Sequence, residues 1–334
     1  MKNLFFIATI FLGSLLVSCG GDTKTNDESN EARPRNNGQF LMYYYPTSSV
    51  YGSEFGKEFA KKDTCIGFPS YMTADEDGTL YGSVVGTEVS VIKSTDGGKT
   101  WVPVENLDTA KNPYASYVIT AGKSKMLYAL SSQGLFYISK DGGSNWEKKA
   151  SPCVKDTSHS SPGFGPEAWL AVSADGKKIL AQAWYFEETV LSISEDEGNT
   201  WTAITPPTER NSSRGVGFCS DRIVYSSYDQ IFYTDDNGKK WFNSTPDKLF
   251  SPKSESSYYG YRHFITDGDQ FVLGVEVPSA ASSRSEKNQY PGAIFLSKDG
   301  GKTFETLPFP YNIDPTPNTS DEYVYLTFLS KKLK

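Results

Sequence analysis

Five octapeptides decide the fold: Ser94-Thr95-Asp96-Gly97-Gly98-Lys99-Thr100-Trp101, Ser139-Lys140-Asp141-Gly142-Gly143-Ser144-Asn145-Trp146, Ser194-Glu195-Asp196-Glu197-Gly198-Asn199-Thr200-Trp201, Thr234-Asp235-Asp236-Asn237-Gly238-Lys239-Lys240-Trp241 and Ser297-Lys298-Asp299-Gly300-Gly301-Lys302-Thr303-Phe304. Each reads Ser/Thr-x-Asp-x-Gly-x-x-Trp/Phe. The pattern is that of a hairpin turn. Its Asp accepts from nearby backbone N–H groups, its Gly supplies positive φ, and its ring packs beneath the turn. These aspartates are therefore structural, not metal ligands or catalytic groups. The turns take up four of the six tryptophans, and such repetition is the architecture's signature.

Outward from each turn lies the same set of strands. The first unit reads as Gly67 to Ala74, Leu80 to Val85, Glu88 to Lys93, the turn, and Trp101 to Glu105. Asp77-Gly78, Asp175-Gly176 and Asp267-Gly268 separate first strands from second ones. Four strands per unit predict an all-β protein, a β-propeller. Cys65 to Pro308 spans 244 residues, about 49 for each of the five units, while Gln39 to Thr64 and Phe309 to Lys334 hold 26 each. The two ends together make one further unit, so six blades are expected. The sixth would be shared between Phe40-Leu41-Met42-Tyr43-Tyr44-Tyr45 and the last strand, Tyr323 to Leu329, so that the N- and C-terminal strands close the ring without exposed edges.

The octapeptides resemble the Asp-box, or BNR, repeat, and six such blades resemble the sialidase-like superfamily over residues 39 to 334. Sialidases open their first blade with Phe/Tyr-Arg-Ile-Pro, whose arginine binds the substrate carboxylate. The matching Ile66-Gly67-Phe68-Pro69 has Gly67 in place of that arginine, and glycine cannot make a bidentate contact. The family's acid/base aspartate lies between the second and third strands of this blade, where Val85-Gly86-Thr87-Glu88 offers none. Between Arg35 and Arg210 there is no arginine. Ordinary sialidase activity is not expected.

In this family the Asp-box turns occupy one face, and the loops entering first strands or joining second to third strands occupy the other. That second face is the candidate site. It gathers His159, Glu167, Trp184, Tyr185, Glu187, Glu188, Arg214, the run Tyr258-Tyr259-Gly260-Tyr261-Arg262-His263, and the insertion from Glu276 to Tyr290. Removing a proton beside a uronate carboxylate needs a base and a cation that stabilises the developing enolate. His263, Tyr261 or Tyr258 can be the base and Arg262 the cation. Propeller-type polysaccharide lyases use such a His/Tyr/Arg set, and the run resembles theirs. His159, Trp184, Tyr185, Arg214, Tyr259 and Glu276 would bind substrate. Strand alternation lets Arg262 and His263 share one cavity only if the strand starts after them. Two alternatives stay open. A glycoside hydrolase would use paired carboxylates drawn from Glu167, Glu187, Glu188, Glu276 and Asp314. A non-catalytic propeller would only bind a glycan or a protein.

The amino terminus sets the compartment. Met1-Lys2-Asn3 precedes an apolar run from Leu4 to Val17 that ends in Leu16-Val17-Ser18-Cys19-Gly20, and this resembles a bacterial lipoprotein box. The expected domains are a signal peptide at 1–18, a lipidated Cys19 with a disordered tether at 19–38, and the propeller at 39–334. A bacterial cell-envelope protein follows, lipid-anchored at the outer membrane. Its partners would be an acidic glycan, the membrane and other glycan-utilisation proteins. With 33 Lys plus Arg against 40 Asp plus Glu, a net charge of −7 and no dense basic run, nucleic acid is not a partner. No zinc spacing occurs, and no metal or cofactor is expected. Cys65, Cys153 and Cys219 leave at least one thiol outside any bridge, with Cys65–Cys153 the pairing considered.

Overall fold

A computed structural model of the chain describes residues 39–44, 49–54, 60–64, 71–83, 91–96, 100–104, 107, 117–131, 134–152, 168–185, 188–208, 213–227, 230–246, 262–266, 272–276, 293–308 and 324–329. The chain divides into two units, Met1–Pro34 and Arg35–Lys334, and every described residue lies in the second.

The described strands are, in chain order, β1 (Gln39–Tyr44), β2 (Ser49–Glu54), β3 (Ala60–Thr64), β4 (Tyr71–Ala74), β5 (Leu80–Ser83), β6 (Val91–Ser94), β7 (Val102–Pro103), β8 (Tyr117–Ala121), β9 (Leu127–Ser131), β10 (Phe136–Ser139), β11 (Glu147–Lys149), β12 (Trp169–Val172), β13 (Ile179–Tyr185), β14 (Glu188–Ser194), β15 (Thr202–Ile204), β16 (Ser213–Cys219), β17 (Arg222–Ser227), β18 (Ile231–Thr234), β19 (Phe242–Asn243), β20 (Arg262–Thr266), β21 (Val272–Glu276), β22 (Ala293–Ser297), β23 (Glu305–Pro308) and β24 (Val324–Leu329). They form six four-stranded antiparallel sheets. Sheets one to five are β4–β7, β8–β11, β12–β15, β16–β19 and β20–β23, each in chain order. The terminal sheet runs β24-β1-β2-β3, with β24 paired to β1 so that Phe40 faces Phe328 and Tyr43 faces Tyr325 in register. The first strands of the sheets neighbour one another in the cycle β24, β4, β8, β12, β16, β20 and back to β24. The architecture is an all-β propeller.

The core lies between the sheets. Leu127 and Ala129 of β9 pack with Tyr81 and Val91 of sheet one. Tyr128 and Leu130, the alternate positions of the same strand, pack with Leu170 and Ile179 of sheet three. The period of two thus sends successive side chains into two different junctions. This explains why the second strands carry runs of consecutive apolar residues, such as Leu127 to Leu130 and Ile223 to Tyr225, instead of strict alternation with polar ones. The junction of sheets three and four joins Leu180, Ile193 and Ile204 to Val216, Phe218 and Tyr225. That of sheets four and five joins Val224 and the buried Cys219 to Phe264, Val272 and Phe295.

Where described, the five turns share one scheme, in which the opening hydroxyl donates to the Asp and the Asp accepts the N–H four residues on. In the third, Ser194 Oγ donates to Asp196 Oδ1 at 2.9 Å and accepts from Gly198 N at 2.8 Å. Thr200 donates its N–H to Asp196 Oδ1 at 2.8 Å and its hydroxyl to Oδ2 at 2.7 Å. The Ser or Thr that opens each turn is buried, which its polarity alone did not suggest. Gly198 has a φ of 80°, and a Cβ there would lie 2.5 Å from Phe136 Cε1 of the preceding sheet. Glycine is required both for the left-handed backbone and for the approach of two sheets.

Some strand limits differ from the sequence reading. β4 starts at Tyr71 and β6 at Val91, while 65–70 and 84–90 lie outside the described residues. The turn rings at 101, 146, 201, 241 and 304 precede the fourth strands instead of opening them. The rings leave the ladder because they pack across sheet junctions: Trp201 meets Phe136 edge-on, with centroids 5.2 Å apart.

Candidate functional site at the junction of sheets four and five

The meander sorts the loops by end. First–second connections and the five turns lie at one end of the sheets, and second–third connections with the starts of first strands lie at the other, called here the site face.

At the turn end every carboxylate of the motif accepts hydrogen bonds from its own turn. Asp141 is held down at about 2, foremost by the Asn145 side chain and then by the Asn145 N–H and the Ser139 hydroxyl. The carboxyl groups of Asp196 and Asp236 are also held low, chiefly by the hydroxyls of Thr200 and Thr234 respectively. A carboxylate so stabilised is a poor proton acceptor. Nearby, the phenol of Tyr81 is pushed above its ordinary range by burial and by Asp75, whose Oδ2 accepts its hydroxyl at 3.3 Å. Burial, with Glu197 close by, pushes Tyr128 up to about 12. Among the described residues no group of three His, Cys, Asp or Glu could hold a metal ion.

One cation at this end escaped the sequence reading. Arg222 Nε donates to Asp235 Oδ1 at 2.7 Å, and Nη1 donates to the carbonyls of Asp299 and Gly300 at 3.1 and 3.3 Å. Its guanidinium also lies 4.9 Å from the Tyr233 ring centroid. It ties the fourth turn to the fifth. An Asp in the turn's variable second position, Asp235, was the available signal.

On the site face, β20 begins at Arg262, so Arg262 and His263 belong to a strand and not to the preceding loop. The condition for their sharing one cavity is not met. As successive strand positions they fall on opposite faces of the sheet. Arg262 stands on the face of Phe264, which packs into the junction with sheet four. His263 stands on the other. Arg262 is directly opposite Glu276 in register, and His263 is opposite Val275.

Sheet four approaches from its own side. β16 neighbours β20, and a Cβ on Gly215 would lie 2.9 Å from Phe264 Cβ and 3.0 Å from its carbonyl oxygen. Just before Gly215 the β16–β17 pairing slips: Ser213 faces Ser227, Gly215 faces Ser226, and Arg214 is the extra residue of a bulge. Arg214, Arg262 and Glu276 therefore occupy adjoining strand ends.

Trp184 and Tyr185 end β13 in sheet three, opposite Thr189 and Glu188. They belong to an extended hairpin, and residues 186 and 187 alone connect its strands. Tyr258, Tyr259, Tyr261, His159, Glu167, Asp314 and Cys19 lie outside the described residues, as do Cys65 and Cys153.

No family model matches the chain. Vacuolar protein sorting/targeting protein 10 of Schizosaccharomyces pombe is 26% identical over 213 residues, which cover 50% of this chain and 14% of that protein. A xyloglucanase of Paenibacillus sp is 29% identical over 137 residues, 38% of this chain and 13% of that one. The chain thus spans about one seventh of the curated relatives it matches. Among solved structures, the crystal structure of a Nidogen/Laminin complex superimposes with a TM-score of 0.56 at 10% identity, covering 88% of this chain and 100% of that chain, a likeness of fold alone.

Proposed function

We propose that the protein is a carbohydrate-active propeller that engages a glycan on the site face, at the junction of sheets four and five. The observation behind this reading is the adjoining placement of Arg214, Arg262 and Glu276. Six four-stranded sheets and a cyclic order of first strands support six Asp-box blades closed by β24 and β1. The apolar run before Cys19 supports a lipid anchor in the bacterial envelope, at the outer membrane.

For a uronate-containing glycan the chemistry is elimination. A base takes the proton on the carbon beside the carboxylate. The electron pair forms a carbon–carbon double bond as the neighbouring carbon–oxygen bond breaks, and a proton returns to the leaving oxygen. With His263 on the other face of β20 from Arg262, Tyr258 or Tyr261 is assigned as base. His159, Trp184, Tyr185 and Tyr259 are assigned to the length of the chain beyond the reacting sugar.

Hydrolysis of an uncharged glycan is the second reading, favoured by the segment similar to a xyloglucanase. It calls for two carboxylates flanking the bond, with Glu276 as one.

A panel of soluble polysaccharides separates these readings. Ultraviolet absorbance of an unsaturated product from a uronate-containing member is the expected result. Reducing ends without absorbance mean hydrolysis, and binding without turnover means capture. Absence of both binding and turnover across the panel overturns the proposal.

A further inference from the structure

We propose that Arg214, the extra residue of the β16 bulge, recognises the anionic group of the glycan, while the charge of Arg262 is offset by that of Glu276 opposite it in register. This rests on the site proposed above and assigns its charge selectivity.

Directly opposite residues of an antiparallel pair lie about 5 Å apart at Cβ, close enough for opposite charges to interact. Arg262 and Glu276 are such a pair. An arginine and a glutamate at opposite register positions bring little net charge to that end of the sheet. Arg214 differs in that the slip from Ser213↔Ser227 to Gly215↔Ser226 leaves it with no residue opposite in register. Bulges re-aim one side chain out of the ladder and are common next to binding sites. Here the neighbouring Gly215 allows the backbones of β16 and β20 to meet at Phe264. The bulge thus puts an extra cation beside a balanced pair, a net charge of one that suits a single carboxylate.

The test is calorimetric binding of an oligogalacturonide and of an uncharged cello-oligosaccharide of equal length to the full protein, with melting curves for every variant. Arg214→Gln should weaken oligogalacturonide binding by about tenfold or more and flatten its salt dependence, leaving the uncharged ligand within about twofold. Arg262→Gln should cost less than Arg214→Gln, and Glu276→Gln should tighten oligogalacturonide binding several-fold. If Arg214→Gln does not fold, Arg214→Lys takes its place. It keeps the charge but loses the fork, so weaker binding with unchanged salt dependence is expected. Unchanged affinity in the Arg214 variant, or a larger loss in Arg262→Gln, overturns the assignment while leaving a glycan site standing. So does wild-type binding that ignores charge. If the wild type binds neither oligosaccharide and the polysaccharide panel is also silent, the proposed function falls, and the assignment with it.

Discussion

Trp201 donates its indole N–H to the carbonyl of Ala150 at 3.0 Å, tying the turn of sheet three to the residue that follows the last strand of sheet two. Trp241 repeats the contact with Thr205, between sheets four and three. Trp146 bonds within its own turn, to the Gly143 carbonyl at 3.2 Å. The repeated ring is therefore a clasp between successive sheets as well as a floor for its own hairpin.

Replacing Trp201 with Ala should accordingly destabilise the propeller. It removes an edge contact with Phe136, a hydrogen bond to another sheet and partly buried aromatic area, a loss of about 2–4 kcal/mol. Thermal melting should show one lowered transition. Glycan turnover per folded molecule should stay normal, since the clasp lies at the turn end.

Gly198→Ala and Gly78→Ala separate conformational strain from crowding. Both glycines have φ near +80°, at 80° and 88°, where a side chain costs about 1–2 kcal/mol. A Cβ at position 78 meets nothing within 4 Å, whereas at 198 it meets Phe136 at 2.5 Å. Gly198→Ala should therefore lose about 1–3 kcal/mol more than Gly78→Ala in chemical denaturation. Equal losses would mean that the sheets part easily.

The turns and the four-strand unit were legible in the sequence because each depends on local chemistry. An Asp three to four residues from its donors, and a glycine beside it, are visible without a fold. The proposed site was less legible because its grouping depends on register. Arg262 and Glu276 lie 14 residues apart in sequence, and only the pairing of β20 with β21 brings them opposite each other. Arg214 reads as one polar residue among several until the slip between Ser213 and Gly215 is known. His263, adjacent to Arg262 in sequence, is parted from it by the pleat. Arg222 was silent because its acceptors include backbone carbonyls 77 and 78 residues away.

The turn aspartates predict acid sensitivity. Asp141, Asp196 and Asp236 have folded-state pKa values below the ordinary aspartate value, with Asp141 at about 2. A depressed carboxylate contributes stability above its unfolded pKa of about 3.9, and that contribution is lost as pH falls through the folded value. Unfolding midpoints should drop progressively from about pH 4 towards pH 2. Asp141→Asn should shrink that drop while lowering stability at neutral pH. A flat profile across this window would show that the turns hold without ionised aspartate.

The last prediction concerns the base. Were His263 to take the proton, His263→Ala would cost about 10²–10⁴ in turnover and remove an acidic limb of the pH–rate profile near an imidazole pKa. Its position argues otherwise. His263 shares the β20 face of Ile265, away from the junction that contains Phe264, and its register partner is Val275. His263→Ala should leave turnover on a uronate-containing substrate within a few-fold of wild type. Tyr258→Phe or Tyr261→Phe should carry the 10²–10⁴ loss, because removing the phenolic oxygen deletes the base and keeps the ring. Turnover lost in His263→Ala with a normal melting curve, and retained in both tyrosine variants, would return the role to the imidazole and require β20 to open at its first residues when substrate binds.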